Sequence, residues 1–159
     1  MQIRLATDDD WAGIWAVMEP AIRDGETYAL DRGMTEAQAR DWWMAPGLET
    51  SVAVEGGEVL GTCFLRPNHP GPGSHIGNCG YMVAPWAYGR GVARALCEHT
   101  QMRGRERGFR AIQFNFVVST NVRAVATWKG LGFHVAGTMP GAFRRPNGEF
   151  VDAYMMFKA

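Results

Sequence analysis

Val83-Ala84-Pro85-Trp86-Ala87-Tyr88-Gly89-Arg90-Gly91-Val92-Ala93-Arg94-Ala95-Leu96 decides the reading of this chain. An extended apolar segment, residues 79–83, runs into a turn bearing Gly89 and Gly91, and a helix follows at once. Glycine lets backbone approach a ligand closely and adopt positive φ. The first N–H groups of a helix have no intrahelical partner, and they point with the positive end of the helix dipole at whatever lies in front. Such a turn binds phosphate, so a phosphate-bearing cofactor is expected here.

Two common phosphate loops fit poorly. A nucleoside triphosphatase loop needs Gly-Lys-Ser/Thr, where this chain has Gly91-Val92-Ala93. A dinucleotide fingerprint needs a third glycine where Arg94 stands, and an acidic residue where the sequence reads Ala111-Ile112-Gln113. An ordinary glycine turn ahead of a helix is the plain alternative.

Tyr88-x-x-Gly91-x-Ala93, shortly after Val83, resembles the acetyl-coenzyme A loop of the GCN5-related N-acetyltransferases (GNAT), with Tyr88 where that family usually has Gln or Arg. Downstream, Asn121-Val122-Arg123-Ala124-Val125-Ala126-Thr127-Trp128-Lys129-Gly130-Leu131-Gly132-Phe133 is similar to the family's Asn-x-x-Ala-x-x-x-Tyr-x-x-x-Gly-Phe signature, with Trp128 in place of Tyr. Two spaced motifs in the right order are more specific than either alone, and the resemblance spans nearly the whole chain.

The rest of the sequence bounds the picture. The 159 residues suit one domain with a single substantial core. Sixteen Lys plus Arg balance sixteen Asp plus Glu, so overall charge recruits neither nucleic acid nor an acidic surface. Cys63, Cys79 and Cys97 lack C-x-x-C spacing and read as reduced, buried thiols of a cytoplasmic protein. The N-terminus has no apolar signal core, and no run is long enough to span a bilayer. His69, His75 and Cys79 match no zinc spacing, so no metal is expected. The basic run Arg103-Gly104-Arg105-Glu106-Arg107 reads as a solvated helix end.

Periodicity places the elements. Ile3 and Leu5 alternate in a first strand, and Trp11, Ile14, Trp15 and Met18 share one helical face that Pro20 should end or kink. Thr35-x-x-Gln38 is a capping box opening a second helix. Val52 and Val54 begin a strand, Gly56-Gly57 is a hairpin turn, and residues 59–66 are the partner strand. Residues 75–83 feed the glycine turn, a helix covers residues 89–106, and a strand covers 111–118 with Ile112, Phe114 and Phe116 on one face. Asn121 opens a last helix, and residues 133–138 and 150–157 form a closing hairpin. This order fits an α/β fold: a mixed, mostly antiparallel twisted sheet of about seven strands with helices on both faces. The resemblance further implies that the fourth and fifth strands splay, with the pantetheine arm in the gap and the amine arriving from the opposite side.

Site residues follow from the resemblance. It implies that Tyr81, Met82, Val83, Tyr88, Gly89, Arg90, Gly91, Val92, Ala93, Arg94, Asn121, Ala124 and Trp128 contact acetyl-CoA. An amine attacking a thioester needs a neutral nitrogen, a donor for the oxyanion and a fate for the thiolate. By family analogy the oxyanion donor is the backbone N–H around Met82 or Val83. Relatives place a Tyr at Trp128 as acid for the thiolate, whereas an indole N–H only donates a hydrogen bond. Trp128 therefore either packs along the cofactor arm or is a plain core tryptophan. Asn121 either binds cofactor or caps its helix. Many relatives carry a carboxylate base near Asn78, and asparagine cannot take a proton. Asn78, Asn115 and Asn121, with Gly25-x-Thr27-Tyr28 and Phe114-Asn115, resemble a subgroup that acetylates proline analogues such as azetidine-2-carboxylate. Asn78 and Asn115 are then catalytic residues with Val83, and Glu26, Tyr28 and Phe116 join Asn78 and Asn115 at the substrate. Sheet-edge or bulge asparagines are the alternative. Glu26, His75 and Asp152 are candidates to act through water, though a solvated loop or strand end explains each. Arg144 and Arg145 read as a polar hairpin tip.

The expected function is acetyl-CoA-dependent acetylation of a small-molecule amine, an amino acid or proline analogue, with phosphinothricin and amino-acid acetyltransferases also similar overall. A protein or peptide acetyltransferase and a non-catalytic CoA-binding sensor are the alternatives, and C-terminal edge strands leave room for a homodimer.

Overall fold

Alternating residues in the first half of the chain become a run of antiparallel ladders. The structure is a computed structural model that describes residues 1–159. β1 (Gln2–Leu5) pairs with β2 (Glu49–Glu55), β2 with β3 (Glu58–Pro67), and β3 with β4 (Ile76–Val83). The Gly56-Gly57 turn has φ of 58° and 80°, as a tight hairpin requires. β5 (Ala111–Val118) runs parallel to β4, and β6 (His134–Arg144) and β7 (Phe150–Lys158) complete a seven-stranded sheet ordered β1-β2-β3-β4-β5-β7-β6. Only the β4–β5 pair is parallel.

Helices cover both faces. α1 (Trp11–Asp24) and α2 (Glu36–Trp43) lie on one side, and α3 (Val92–Glu106) and α4 (Val122–Gly130) on the other. Side-chain parity on β3 separates the two: Phe64 packs edge-on against Trp42 and Trp43 of α2, whereas Gly61 lies beneath Val92 and Leu96 of α3. A Cβ at Gly61 would come within 2.7 Å of Val92, so only glycine lets α3 settle this closely. α2 begins on the expected capping box, with Gln38 N–H donating to Thr35 Oγ1 at 3.2 Å and Thr35 N–H donating to Gln38 Oε1 at 2.9 Å.

β4 and β5 share only three rungs, 76/111, 77/112 and 78/113, although each strand has eight residues. Beyond Asn78 and Gln113 they separate, and the gap between them organises the site.

Four sequence expectations are corrected. Pro20 does not end α1, which runs to Asp24 and closes on left-handed Gly25, because Ile22 is buried one turn beyond Met18 and outweighs one missing backbone donor. The helix expected from residue 89 begins at Val92, with residues 88–91 remaining a turn. Phe116 does not share a face with Ile112 and Phe114. Against β7, the two residues Asn115 and Phe116 between the Phe114 and Val117 rungs oppose one, Met155, so a bulge there turns Val117 into the core and leaves Phe116 exposed. β6 continues past Thr138 to Arg144 by absorbing Pro140 and Gly141 in an irregularity between Met139 and Phe143, which an edge strand tolerates.

Candidate functional site

The turn at the head of α3 is shaped to receive an anion. Gly89 and Gly91 both have φ of 78°, and Gly91 is the helix N-cap with no side chain to satisfy the amides behind it. The first helical bond is Ala95 N–H to Gly91 O, at 3.0 Å. The N–H groups of Val92, Ala93 and Arg94 thus have no helical acceptor, and these three residues line the wall of a cavity of about 790 Å³. A Cβ built on Gly91 meets no atom within 4 Å, and one on Gly89 meets only the Arg123 guanidinium, at 3.9 Å. Arg123 stacks over Tyr88 at 5.6 Å. Open space, orphan amides and two guanidiniums, those of Arg94 and Arg123, fit a diphosphate. Asn121 caps α4, its Oδ1 accepting from Ala124 N–H at 3.4 Å, and it lines the cavity with Ala124 and Trp128. Arg90 does not line the cavity; it turns away to pair with Glu55.

The cavity runs from this turn into the gap between β4 and β5. Along β4, backbone groups alternate between β3 and the gap. Ala84 N–H bonds Leu60 O at 2.8 Å and Asn68 N–H bonds Ile76 O at 2.7 Å, which fixes the even-numbered residues of β4 as those facing β3. Met82 N–H therefore belongs to the ladder, and the backbones of Tyr81 and Val83 face the gap. Tyr28, carried in from the α1–α2 loop, fills the space at Tyr81: its hydroxyl accepts from Tyr81 N–H at 2.9 Å and donates to Tyr81 C=O.

On the α3–α4 side, Trp128 packs 4.9 Å from the Tyr81 ring and 5.3 Å from Phe114. No buried side-chain nitrogen or oxygen lacks a partner, and Trp128 Nε1 bonds nothing in the protein, so its N–H opens onto the cavity. Cys79 also lines this wall, and burial pushes its thiol up to about 12. Burial likewise drives the Tyr28 and Tyr81 phenols above their usual range, with the Tyr81 hydroxyl 2.6 Å from Thr100 Oγ1.

On the α1–α2 side, Phe64, Trp42, Arg66, Asn78, Asn115 and Phe116 form the wall. Asn78 is 5% exposed; its Nδ2 donates to Gln113 O at 3.0 Å, and its Oδ1 accepts from Arg66 Nε at 3.3 Å. Asn115 donates to Asn68 Oδ1 at 2.7 Å and accepts from Gln113 Nε2 at 3.0 Å. Arg66 stands 5.5 Å over the Phe64 ring and has no carboxylate partner. Sequence reasoning passes over Arg66, since a lone arginine ahead of a Pro/Gly loop carries no motif; only its register opposite Asn78 reveals it.

Glu26 is not on this wall. It pairs with Arg145 at 3.0 Å, and Arg145 also holds Glu149 at 2.9 Å, so the hairpin tip is tied to the α1–α2 loop. His75 is exposed at the foot of β4 and Asp152 accepts from Gly141 N–H at 3.0 Å; neither reaches the cavity. No Asp, Glu or His side chain lines it.

Residues 14–133 match the acetyltransferase (GNAT) family. The chain is 32% identical over 151 residues to N-acetyltransferase aca1 of Schizosaccharomyces pombe, covering 84% of this chain and 72% of that protein. It is 33% identical over 112 residues to the L-amino acid N-acetyltransferase AaaT of Escherichia coli, covering 70% of this chain and 68% of that protein. Among solved structures, a GCN5-related N-acetyltransferase from Kribbella flavida superposes with a TM-score of 0.94 at 46% identity, over 99% of this chain and 96% of that one. A phosphinothricin acetyltransferase from Sinorhizobium meliloti in complex with AcCoA shares the fold, with a TM-score of 0.87 at 20% identity over 99% and 86% of the two chains.

Proposed function

Because this chain belongs to the acetyltransferase (GNAT) family and is an N-acetyltransferase using acetyl-CoA, we propose that its acceptor is the amine of a small molecule bearing a carboxylate, an amino acid or a proline analogue. The observation that carries this reading is Arg66, a guanidinium without an internal counter-ion on the same wall as Asn78 and Asn115. A carboxylate is its natural partner. The aromatic faces of Phe64, Trp42 and Phe116 complete a compartment suited to a small amphipathic molecule. The E. coli relative, which acts on L-amino acids by its name, supports the same class.

Bound acetyl-CoA supplies an electrophilic thioester carbonyl with a thiol leaving group. The amides of Val92, Ala93 and Arg94, with the Arg94 and Arg123 guanidiniums, hold the diphosphate. Val83 N–H faces the gap as a backbone donor. Asn78 and Asn115 orient the acceptor with the amide hydrogens and lone pairs not spent on Gln113, Arg66 and Asn68. Trp128 contributes an N–H donor to the opposite wall but no proton. With no carboxylate or imidazole on the wall, the acceptor's ammonium proton leaves to water.

A thiol-release assay tests the proposal with three acceptor sets: free amino acids including proline analogues, the same compounds without the carboxylate, and peptides. Turnover favouring the first set is expected. Peptides or carboxylate-free amines as the better substrates would overturn it.

A further inference from the structure

Phe64 and Arg66 lie two residues apart on β3, so both side chains stand on the sheet face that α1 and α2 cover. The register of β4 places Gly80 opposite Phe64 and Asn78 opposite Arg66. A Cβ on Gly80 would come within 2.5 Å of the Phe64 ring, so the missing side chain lets that ring lie across β4. Trp43 is fully buried, donates its indole N–H to Thr62 Oγ1 at 2.9 Å, and packs edge-on at 5.1 Å to hold the ring there. Trp42 stands 6.4 Å from the same ring, and Trp42, Phe64 and Leu30 of the α1–α2 loop all line the cavity. A rigid apolar surface therefore adjoins the Arg66 guanidinium, which stands 5.5 Å over Phe64.

We propose that Phe64, Trp42 and Leu30 form a side-chain subsite beside Arg66, so that the preferred acceptors are amino acids with an apolar, uncharged side chain, and acidic amino acids are rejected. This rests on the amino-acid reading above and narrows it. An α-amino acid carries three groups on one carbon. Its nitrogen has to reach the gap between β4 and β5, and its carboxylate meets Arg66. The third group then falls on the apolar surface next to that guanidinium. Three guanidiniums line the whole cavity, and two of them, Arg94 and Arg123, stand at the phosphate-binding turn. Arg66 alone is on the acceptor side, and one carboxylate uses it. A second carboxylate would lie on aromatic rings with no charged partner, at a cost far above what burying a methylene group returns. The neighbouring hairpin supplies none either: Arg145 is already held by Glu26 and Glu149.

The test is kcat/KM by thiol release at saturating acetyl-CoA for leucine, methionine and phenylalanine, for alanine, and for aspartate and glutamate. The first three should exceed alanine by roughly tenfold or more, and the acidic pair by roughly 100-fold or more. Trp42→Ala should lower the values for leucine and phenylalanine by roughly tenfold and leave alanine little changed, with calorimetry showing unaltered CoA affinity as the sign of an intact fold. Should that variant not fold, the order of substrates on the parent protein decides by itself. A flat order across side chains, acidic amino acids equal to or better than leucine, or a Trp42→Ala loss equal for all acceptors overturns the proposal. Amines with the same side chains and no carboxylate separate it from the reading it rests on. If they outperform the amino acids, the carboxylate reading at Arg66 falls, while the order among their side chains still decides the apolar subsite. If no amine of either kind is acetylated, both fall.

Discussion

Asn78 Nδ2 donates to the Gln113 carbonyl at 3.0 Å on the last rung that β4 and β5 share. The side chain is thus a strut at the fork as well as part of the cavity wall. Asn78→Ala removes this bond and the one from Arg66. It should cost about 1–2 kcal/mol, or a fall of roughly 2–8 °C in Tm, read by thermal unfolding. Thiol release should fall as well, and by more than the lost stability accounts for.

Arg66 separates acceptors by charge. Arg66→Ala should lower kcat/KM for amino acids by roughly 10- to 100-fold, the value of a charge-assisted hydrogen bond, and leave carboxylate-free amines nearly untouched. The ratio of the two substrates is the measurement. A proportional loss for both would place Arg66 outside substrate recognition.

Gly91 should be intolerant of an acidic side chain. Gly91→Glu places a carboxylate in front of the Val92, Ala93 and Arg94 amides, and calorimetry should detect no CoA binding. Gly91→Ala meets open space and bears only the left-handed backbone penalty of about 1–2 kcal/mol. It should retain binding at a reduced melting temperature.

The pH–rate profile should belong to the acceptor. Tyr28 and Tyr81 are driven upward, Cys79 reaches about 12, and the wall carries no carboxylate or imidazole. No lining side chain switches protonation near neutrality. Hence kcat/KM should rise with pH until the acceptor's own ammonium is titrated, and the midpoint should move with the amine across a substrate series. A fixed midpoint for all amines would reveal a proton acceptor in the protein.

Acid sensitivity has a separate origin in the bidentate Arg4–Asp10 pair, at 2.7 and 2.8 Å. The hydrogen bonds from Arg4, chiefly, lower the Asp10 carboxyl to about 2. A depressed folded pKa gives stability that is present above the usual carboxylate value and lost as pH falls through about 2. Asp10→Asn should melt below the parent at neutral pH, and the two curves should converge as pH falls through that window.

The sequence displayed the cofactor side far better than the acceptor side. Gly89, Gly91 and the Asn121 cap are local: one turn and one helix end contain all the geometry, so spacing reveals them. The order of strands and helices was legible for the same reason. Where the sequence misled, a long-range term overrode a local one. Burial of Ile22 carries α1 through Pro20, and pairing with β7 carries β6 through Pro140 and Gly141. Arg66 joins the site only through its register with Asn78. Glu26 leaves it because Arg145, distant in the chain, claims its carboxylate.

Cys79 gives this cleft a sulfhydryl of its own, set in the wall of the cavity proposed to receive acetyl-CoA. Only the ionised form of such a group attacks a thioester or a disulfide, and a free cysteine ionises near 8.5, by the usual order of magnitude of about one proton in thirty lost at neutrality. Packed where it is, Cys79 keeps its hydrogen. The protein can therefore pass a reactive ester along its interior without labelling itself, and can release the spent carrier without becoming joined to it.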